Sequence, residues 1–222
     1  NGTQSERFWG KKCNFELAYD MGYKKFALEY ELGEAEAKRM VGQFHAGLPQ
    51  IRNNYHAGIR QQLFKDRTIT NLMGRNRLFL GDIEGVIRGG PAETFRQAYN
   101  HMAQSTVADV INERGINYIY YNQELFKPIE LLTQIHDSLV FQIPLTIPWE
   151  EHARMLSLIC FSLETPLSYH DRTFSIPADV SMGFNMGKSE QVEIKGISGM
   201  FDGDVASKLE EVYNELRTKN GP

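Results

Sequence analysis

Arg7, Lys11, Phe15 and Tyr19 follow one another at four-residue steps. On a helix such steps keep side chains on one slowly drifting face. Two cations followed by two aromatics on one stripe can hold a phosphate chain at one end and stack on a base or sugar at the other. The same pattern also fits a solvated basic turn that leads into two core aromatics. Farther on, His136-Asp137-Ser138 is flanked by two apolar, β-prone runs, residues 131–135 and 139–143, as in a tight hairpin. An Asp in such a turn is by default a turn former, and His136 alone fits a packed or solvated histidine. Arg75 and Arg77 sit beside Gly74 in another turn, where they suit nucleic-acid phosphates or simple solubility, while Lys24-Lys25 reads as a solvated face. Arg96, Asn100 and Gln104 again share one helical stripe.

The elements that must carry these groups follow from periodicity and punctuation. Residues 6–19 read as a helix. A second spans 33–47, with Glu34 and Glu36 in its dipole-favoured first turn and Gly47-Leu48-Pro49 as its stop. A third fits 50–65, and 68–80 reads as two short strands around Gly74. Pro91 suits the first turn of a long helix running from residue 92 past 111. After the hairpin, 149–163 reads as a helix covering the sheet and 174–182 as one more strand. Residues 202–219 form a mainly polar helix, read as a surface helix after a Gly-rich link. This order is α+β. The expected division is 1–88, 89–190 and a tail of 191–222.

Composition bounds the rest. The chain has 222 residues, 41% hydrophobic and 23% charged, enough for a real core. Net charge is −4, which excludes a protein gripping nucleic acid through bulk basicity. The balance is uneven, +4 over residues 1–100 and −8 over 101–222, so a local anion site suits the first half. Cys13 and Cys160 are too few for a disulfide framework or a cysteine zinc site and fit a reducing compartment, cytoplasmic or nucleoid-associated. No apolar run approaches the length that spans a bilayer. Asn1-Gly2-Thr3-Gln4 has neither an initiator Met nor a signal-peptide layout, which suits a processed or excerpted polypeptide.

Four ordered segments resemble motifs of family A (DNA polymerase I-like) DNA polymerases. Arg7-x3-Lys11-x2-Asn14-Phe15-x3-Tyr19, continuing to Met21-Gly22, resembles the fingers helix, motif B. Thr70-x3-Gly74-Arg75-x-Arg77 resembles the Thr-x-x-Gly-Arg-Arg segment, and Arg96-x3-Asn100-x3-Gln104-x-Thr106-x2-Asp109 the long palm helix. Gln134-Ile135-His136-Asp137-Ser138-Leu139-Val140 resembles motif C.

The resemblance implies a right-hand fold in which residues 1–88 are fingers and 89–190 are palm. It also implies nucleotidyl transfer from dNTP to a primer 3′-hydroxyl with two Mg²⁺ ions. Arg7 and Lys11 would contact the triphosphate, Lys11 being placed to stabilise or protonate departing pyrophosphate. Phe15 would lie against the incoming sugar, and Tyr19 where the templating base enters. Asp137 would be the metal ligand, and His136 would support the primer terminus. Arg75 and Arg77 would touch DNA phosphates. Arg96, Asn100 and Gln104 would reach minor-groove acceptors common to all base pairs.

Two positions depart from the pattern. Asp20 follows Tyr19 where the family has Gly, which loses backbone freedom and sets a carboxylate near the nucleotide end unless it is turned away. Ser138 replaces the second motif C carboxylate, leaving Asp137 to carry the metal. No segment resembles motif A, the strand that supplies the other metal-binding Asp and lies before the fingers helix. The expectation is therefore a C-terminal portion, phage-like or organellar, inactive alone. An N-terminal polypeptide bearing motif A and the thumb would complete it, and its hairpin edge would be open until then. A non-catalytic primer-template or nucleotide-binding module is the alternative. A single-subunit RNA polymerase fits less well, since Tyr is typical where Phe15 stands. No membrane partner is expected.

Overall fold

In the computed structural model, residues 5–83, 93–187 and 190–220 are described. The chain divides into two compact units, Asn1–Ser105 and Thr106–Pro222.

In the first unit, α1 (Glu6–Ala18) starts at Ser5, whose Oγ accepts from the Phe8 amide at 3.3 Å, a side-chain N-cap. Helices α2 (Tyr23–Glu29) and α3 (Glu34–Gly47) follow. Leu17, Phe26, Ala27, Ala37 and Val41 from these three helices form one core. The expected third helix is divided: a π-helical turn, Ile51–His56, leads into α4 (Ala57–Asp66). Arg67 ends α4 in the left-handed region (φ 58°), its amide on Leu63 O. Strands β1 (Thr68–Thr70) and β2 (Asn76–Leu78) pair antiparallel, with Ile69 opposite Arg77. A second core joins α4, this hairpin and the start of α5 (Glu93–Val110) through Ile59, Leu63, Ile69, Phe79, Phe95 and Tyr99. Pro91, expected to open the long helix, lies outside the described residues.

In the second unit, the continuation of α5 passes into a π-helical turn, Ile111–Ile116, followed by α6 (Asn117–Tyr121) and α7 (Gln123–Phe126). Gly115 lets this turn come close to its neighbours: a Cβ there would lie 3.3 Å from Leu163 Cδ2 and 3.5 Å from Leu139 Cδ2. Strands β3 (Glu130–Ile135) and β4 (Ser138–Gln142) form a hairpin on α8 (Trp149–Leu163), a helix with two working faces. Met155 and Ile159 pack on Leu131, Leu139 and Phe141 of the hairpin. Ala153, Leu156 and Cys160 pack on α9 (Asp202–Asn220), and burial pushes the Cys160 thiol up to about 11.

One expectation needs correction here, and another gains a detail. The single strand over 174–182 is two strands, β6 (Arg172–Phe174), paired with β5 (Leu167–Tyr169), and β7 (Val180–Gly183), paired with β8 (Gln191–Ile194). Pro177 lies between them and has no N–H to donate to a ladder. The tail helix lies at the surface, with its polar face exposed, but it is also anchored. Val205, Ala206, Leu209, Val212 and Leu216 recur at helical spacing and are buried against α8, β7 and β8. The architecture is α+β, with each sheet a two-stranded antiparallel hairpin among the described residues. No described helix is long and apolar enough to cross a membrane.

Candidate functional site

The first unit carries the cationic-aromatic stripe. Leu17 turns one face of α1 into the core, leaving Arg7, Lys11 and Phe15 exposed on the other. Phe15 is 52% exposed and therefore is not a core aromatic. Tyr19 is half-buried against the Ile59, Leu63 and Tyr99 cluster, and burial raises its phenol pKa. The two rings meet edge to face at 4.8 Å, so an exposed platform leads into an anchored ring. Neighbouring Lys12 differs from Lys11. Its Nζ lies 2.7 Å from Glu29 and over the Trp9 and Tyr30 rings, and the Glu29 hydrogen bond raises its pKa. Among the described residues, Arg7 and Lys11 have no such partner, so their charges face solvent.

The turn after Tyr19 answers the question that Asp20 posed. Asp20 adopts φ 63°, the left-handed conformation in which the family favours Gly, and its carboxylate points inward, 6% exposed. Arg52 donates to Oδ1 from Nε at 3.0 Å and from Nη2 at 2.6 Å. Arg60 Nη2 lies 3.6 Å from Oδ2, and His45 Nε2 3.9 Å from Oδ1. Arg60 also donates to the Tyr99 hydroxyl and sits over the Phe95 and Tyr99 rings. Burial lowers the pKa of both His45 and His56, holding them neutral, and His56 Nε2 donates to Ala18 O at 2.9 Å. Sequence reasoning missed this network. Its signal was the run Arg52, His56, Arg60 at four-residue steps, one basic stripe aimed at the end of α1.

The β1–β2 turn is built by buried Asn71, whose Oδ1 accepts from the amides of Met73 at 3.0 Å and Arg75 at 2.9 Å. Gly74 takes φ 87°, a conformation only Gly adopts cheaply. Arg75 and Arg77 are thereby held at the exposed tip and on β2, the Arg77 guanidinium 4.7 Å from the Phe79 ring centroid. On α5, Arg96 pairs with Glu93, Asn100 is half-buried with no partner for its Oδ1 among the described residues, and Gln104 is exposed.

The second unit carries the hairpin tip. Ile135 pairs with Ser138, leaving His136 and Asp137 as a two-residue loop, with His136 at φ 53°. All three of His136, Asp137 and Ser138 are exposed. Ser138 Oγ donates to Ile135 O at 2.8 Å, so its hydroxyl pins the tip. A bulge between Leu131 and Thr133 leaves Leu132 unpaired and exposed. The structure therefore groups Arg7, Lys11 and Phe15 on α1 with Tyr19 at its C-cap, and His136 with Asp137 on one loop.

The family model for DNA polymerase family A matches residues 1–189. The chain belongs to DNA polymerase family A. Among its family A relatives, DNA polymerase I of Helicobacter pylori strain J99 is 29% identical over 141 residues, 64% of this chain and 15% of the relative. DNA polymerase I of Synechocystis is 28% identical over 202 residues, covering 81% and 19%. The fold is similar to the POL domain of Pol1 from M. smegmatis in complex with DNA primer-template and dNTP. That likeness has a TM-score of 0.59 and 24% identity, over 71% of this chain and 27% of that one. This family A chain thus spans less than a fifth of the length of these two curated relatives.

Magnesium takes hard oxygen ligands, and the exposed Asp137 carboxylate fits as one of them. Among the described residues no three His, Cys, Asp or Glu side chains gather into a metal cluster.

Proposed function

We propose that this chain carries out template-directed DNA synthesis as the C-terminal part of a family A polymerase, transferring a nucleotide from dNTP to a primer 3′-hydroxyl. The observation that carries this reading is the α1 surface: solvent-exposed Arg7, Lys11 and Phe15 in one line, ending at anchored Tyr19. A triphosphate along the first two residues brings its sugar to Phe15 and its base toward Tyr19. Lys11 neutralises charge on the departing pyrophosphate and is placed to protonate it. His136 steadies the primer end and Asp137 offers its carboxylate to Mg²⁺. Two such ions, when bound, stabilise the attacking and leaving oxygens. The ligands, primer-template DNA and dNTP, are those held by the M. smegmatis relative. Arg75, Arg77, Arg96, Asn100 and Gln104 contact the DNA.

One carboxylate cannot hold two divalent ions in line, so a second Asp comes from an N-terminal portion or partner chain bearing motif A and the thumb. In this assignment residues 1–88 act as fingers, 89–190 as palm and 191–222 as a brace on the palm. The enzyme works in the cytoplasm or at the nucleoid. The test mixes the chain with a family A polypeptide that ends after motif A and measures Mg²⁺-dependent primer extension. Extension by the mixture, and by neither part alone, is expected. Extension by these 222 residues alone overturns the split assignment, and DNA binding without extension by any combination favours a non-catalytic module.

A further inference from the structure

The Asp20 network is larger than packing requires. Glycine at this position would adopt φ 63° without strain and would leave no charge to bury. Instead the chain keeps a nearly buried carboxylate and surrounds it with Arg52, Arg60 and His45. The result reaches both peptide neighbours of Tyr19. Ala18 O accepts from His56 Nε2 at 2.9 Å, and Asp20 Oδ1 accepts twice from Arg52, so residues on either side of Tyr19 are tied to one stretch, 52–60. That stretch is itself fixed: Arg60 donates to the Tyr99 hydroxyl, Tyr55 donates to Tyr99 O, and the His56 ring stacks on Tyr99 at 3.8 Å. Tyr19 packs on the same Ile59, Leu63 and Tyr99 cluster. Backbone and ring are thus held by one network.

We propose that Asp20 is a positioning residue: its ion pairs with Arg52 and Arg60 lock the turn after α1 and hold Tyr19 in its half-buried seat, making Tyr19 a fixed gauge of the nascent base pair. This rests on the polymerase reading above. Asp20 touches neither nucleotide nor DNA; it acts through Tyr19. A gauge that yields accepts mispairs, so the locked turn sets how well correct and incorrect nucleotides are told apart rather than how fast the correct one is joined.

The test uses the assembled polymerase, this chain with the polypeptide supplying motif A. Asp20→Asn keeps the shape and the left-handed tolerance but removes the charge. Arg52→Gln breaks the same pair from its exposed, fold-tolerant side. Two quantities are read: amide hydrogen exchange at residues 18–22, and kcat/KM for correct and mismatched dNTP at one template position. Each variant should speed exchange at 18–22 and raise the mismatch-to-correct ratio roughly tenfold, with correct-nucleotide kcat within about twofold of wild type. The double variant should be no worse than Asp20→Asn alone, because that change already breaks the pair that Arg52→Gln removes. Faster exchange with unchanged discrimination overturns the proposal, as does unchanged exchange. Should the wild-type assembly extend no primer, the functional reading fails and the gauge with it; the exchange arm reports separately whether the turn is locked.

Discussion

The His56 ring lies 3.8 Å from that of Tyr99, nearly parallel at 16°, while its Nε2 donates to Ala18 O. Burial lowers the pKa of both His56 and nearby His45, with Arg52 opposing a positive charge on each and Arg60 on His56. Their folded pKa values lie below the unfolded value of about 6.5. The unfolded chain therefore takes up protons first as pH falls. The stability they contribute is full above about pH 6.5 and is lost as pH drops toward the folded values, by at most about 1.4 kcal/mol per pH unit per histidine. Urea unfolding of the first unit, followed between pH 7.5 and 5.5, should show this acid weakening, and His56→Gln should flatten it. An equal slope in wild type and variant contradicts the assignment.

Lys11 and Lys12 are adjacent but differ in what they touch. Lys11→Ala should leave the unfolding midpoint and DNA affinity nearly unchanged while lowering kcat roughly 10²- to 10³-fold. Lys12→Ala should lose its Glu29 contact and leave kcat within about tenfold of wild type. Comparable kcat losses in the two variants would mean that the exposed charge of Lys11 is not what matters. Single-turnover extension separates chemistry from binding.

At the hairpin tip, Asp137→Asn should abolish Mg²⁺-dependent extension, a loss of roughly 10³-fold or more. Ser138→Ala removes only the hydrogen bond to Ile135 O and should cost less than about tenfold. A Mg²⁺ titration of both variants checks this. If the serine variant is as inactive as the aspartate one, Ser138 is itself a ligand.

Leu209 on α9 is 3% exposed, packed in the core shared with α8. Leu209→Ala should therefore destabilise the second unit by about 2–5 kcal/mol, measured by chemical denaturation. A change below about 0.5 kcal/mol would mean that α9 is not anchored through this face.

Much of this frame is legible in the residues themselves. Ser5 ahead of an amphipathic run, Glu34 and Glu36 at a helix start, and two β-prone runs around His136-Asp137 each encode their element locally, and α1, α3 and the β3–β4 hairpin form there. What was not legible depends on contacts distant in sequence. Periodicity puts Phe15 and Tyr19 on one stripe but does not say that only Tyr19 finds a core to join. The polar surface of α9 hides five apolar positions whose partner is α8, some fifty residues earlier. Asp20 reads as a defect in a familiar motif until Arg52 and Arg60, brought in from 32 and 40 positions away, give its carboxylate a purpose.

Helix α8 presses on the Asp137 hairpin with one side and on α9 with the other, and Phe141 of β4 borders both cores. The loop that carries Asp137 therefore rests on a common keel with α9. Trimming that helix would slacken the keel, and the hairpin tip would be the place where the slack is felt.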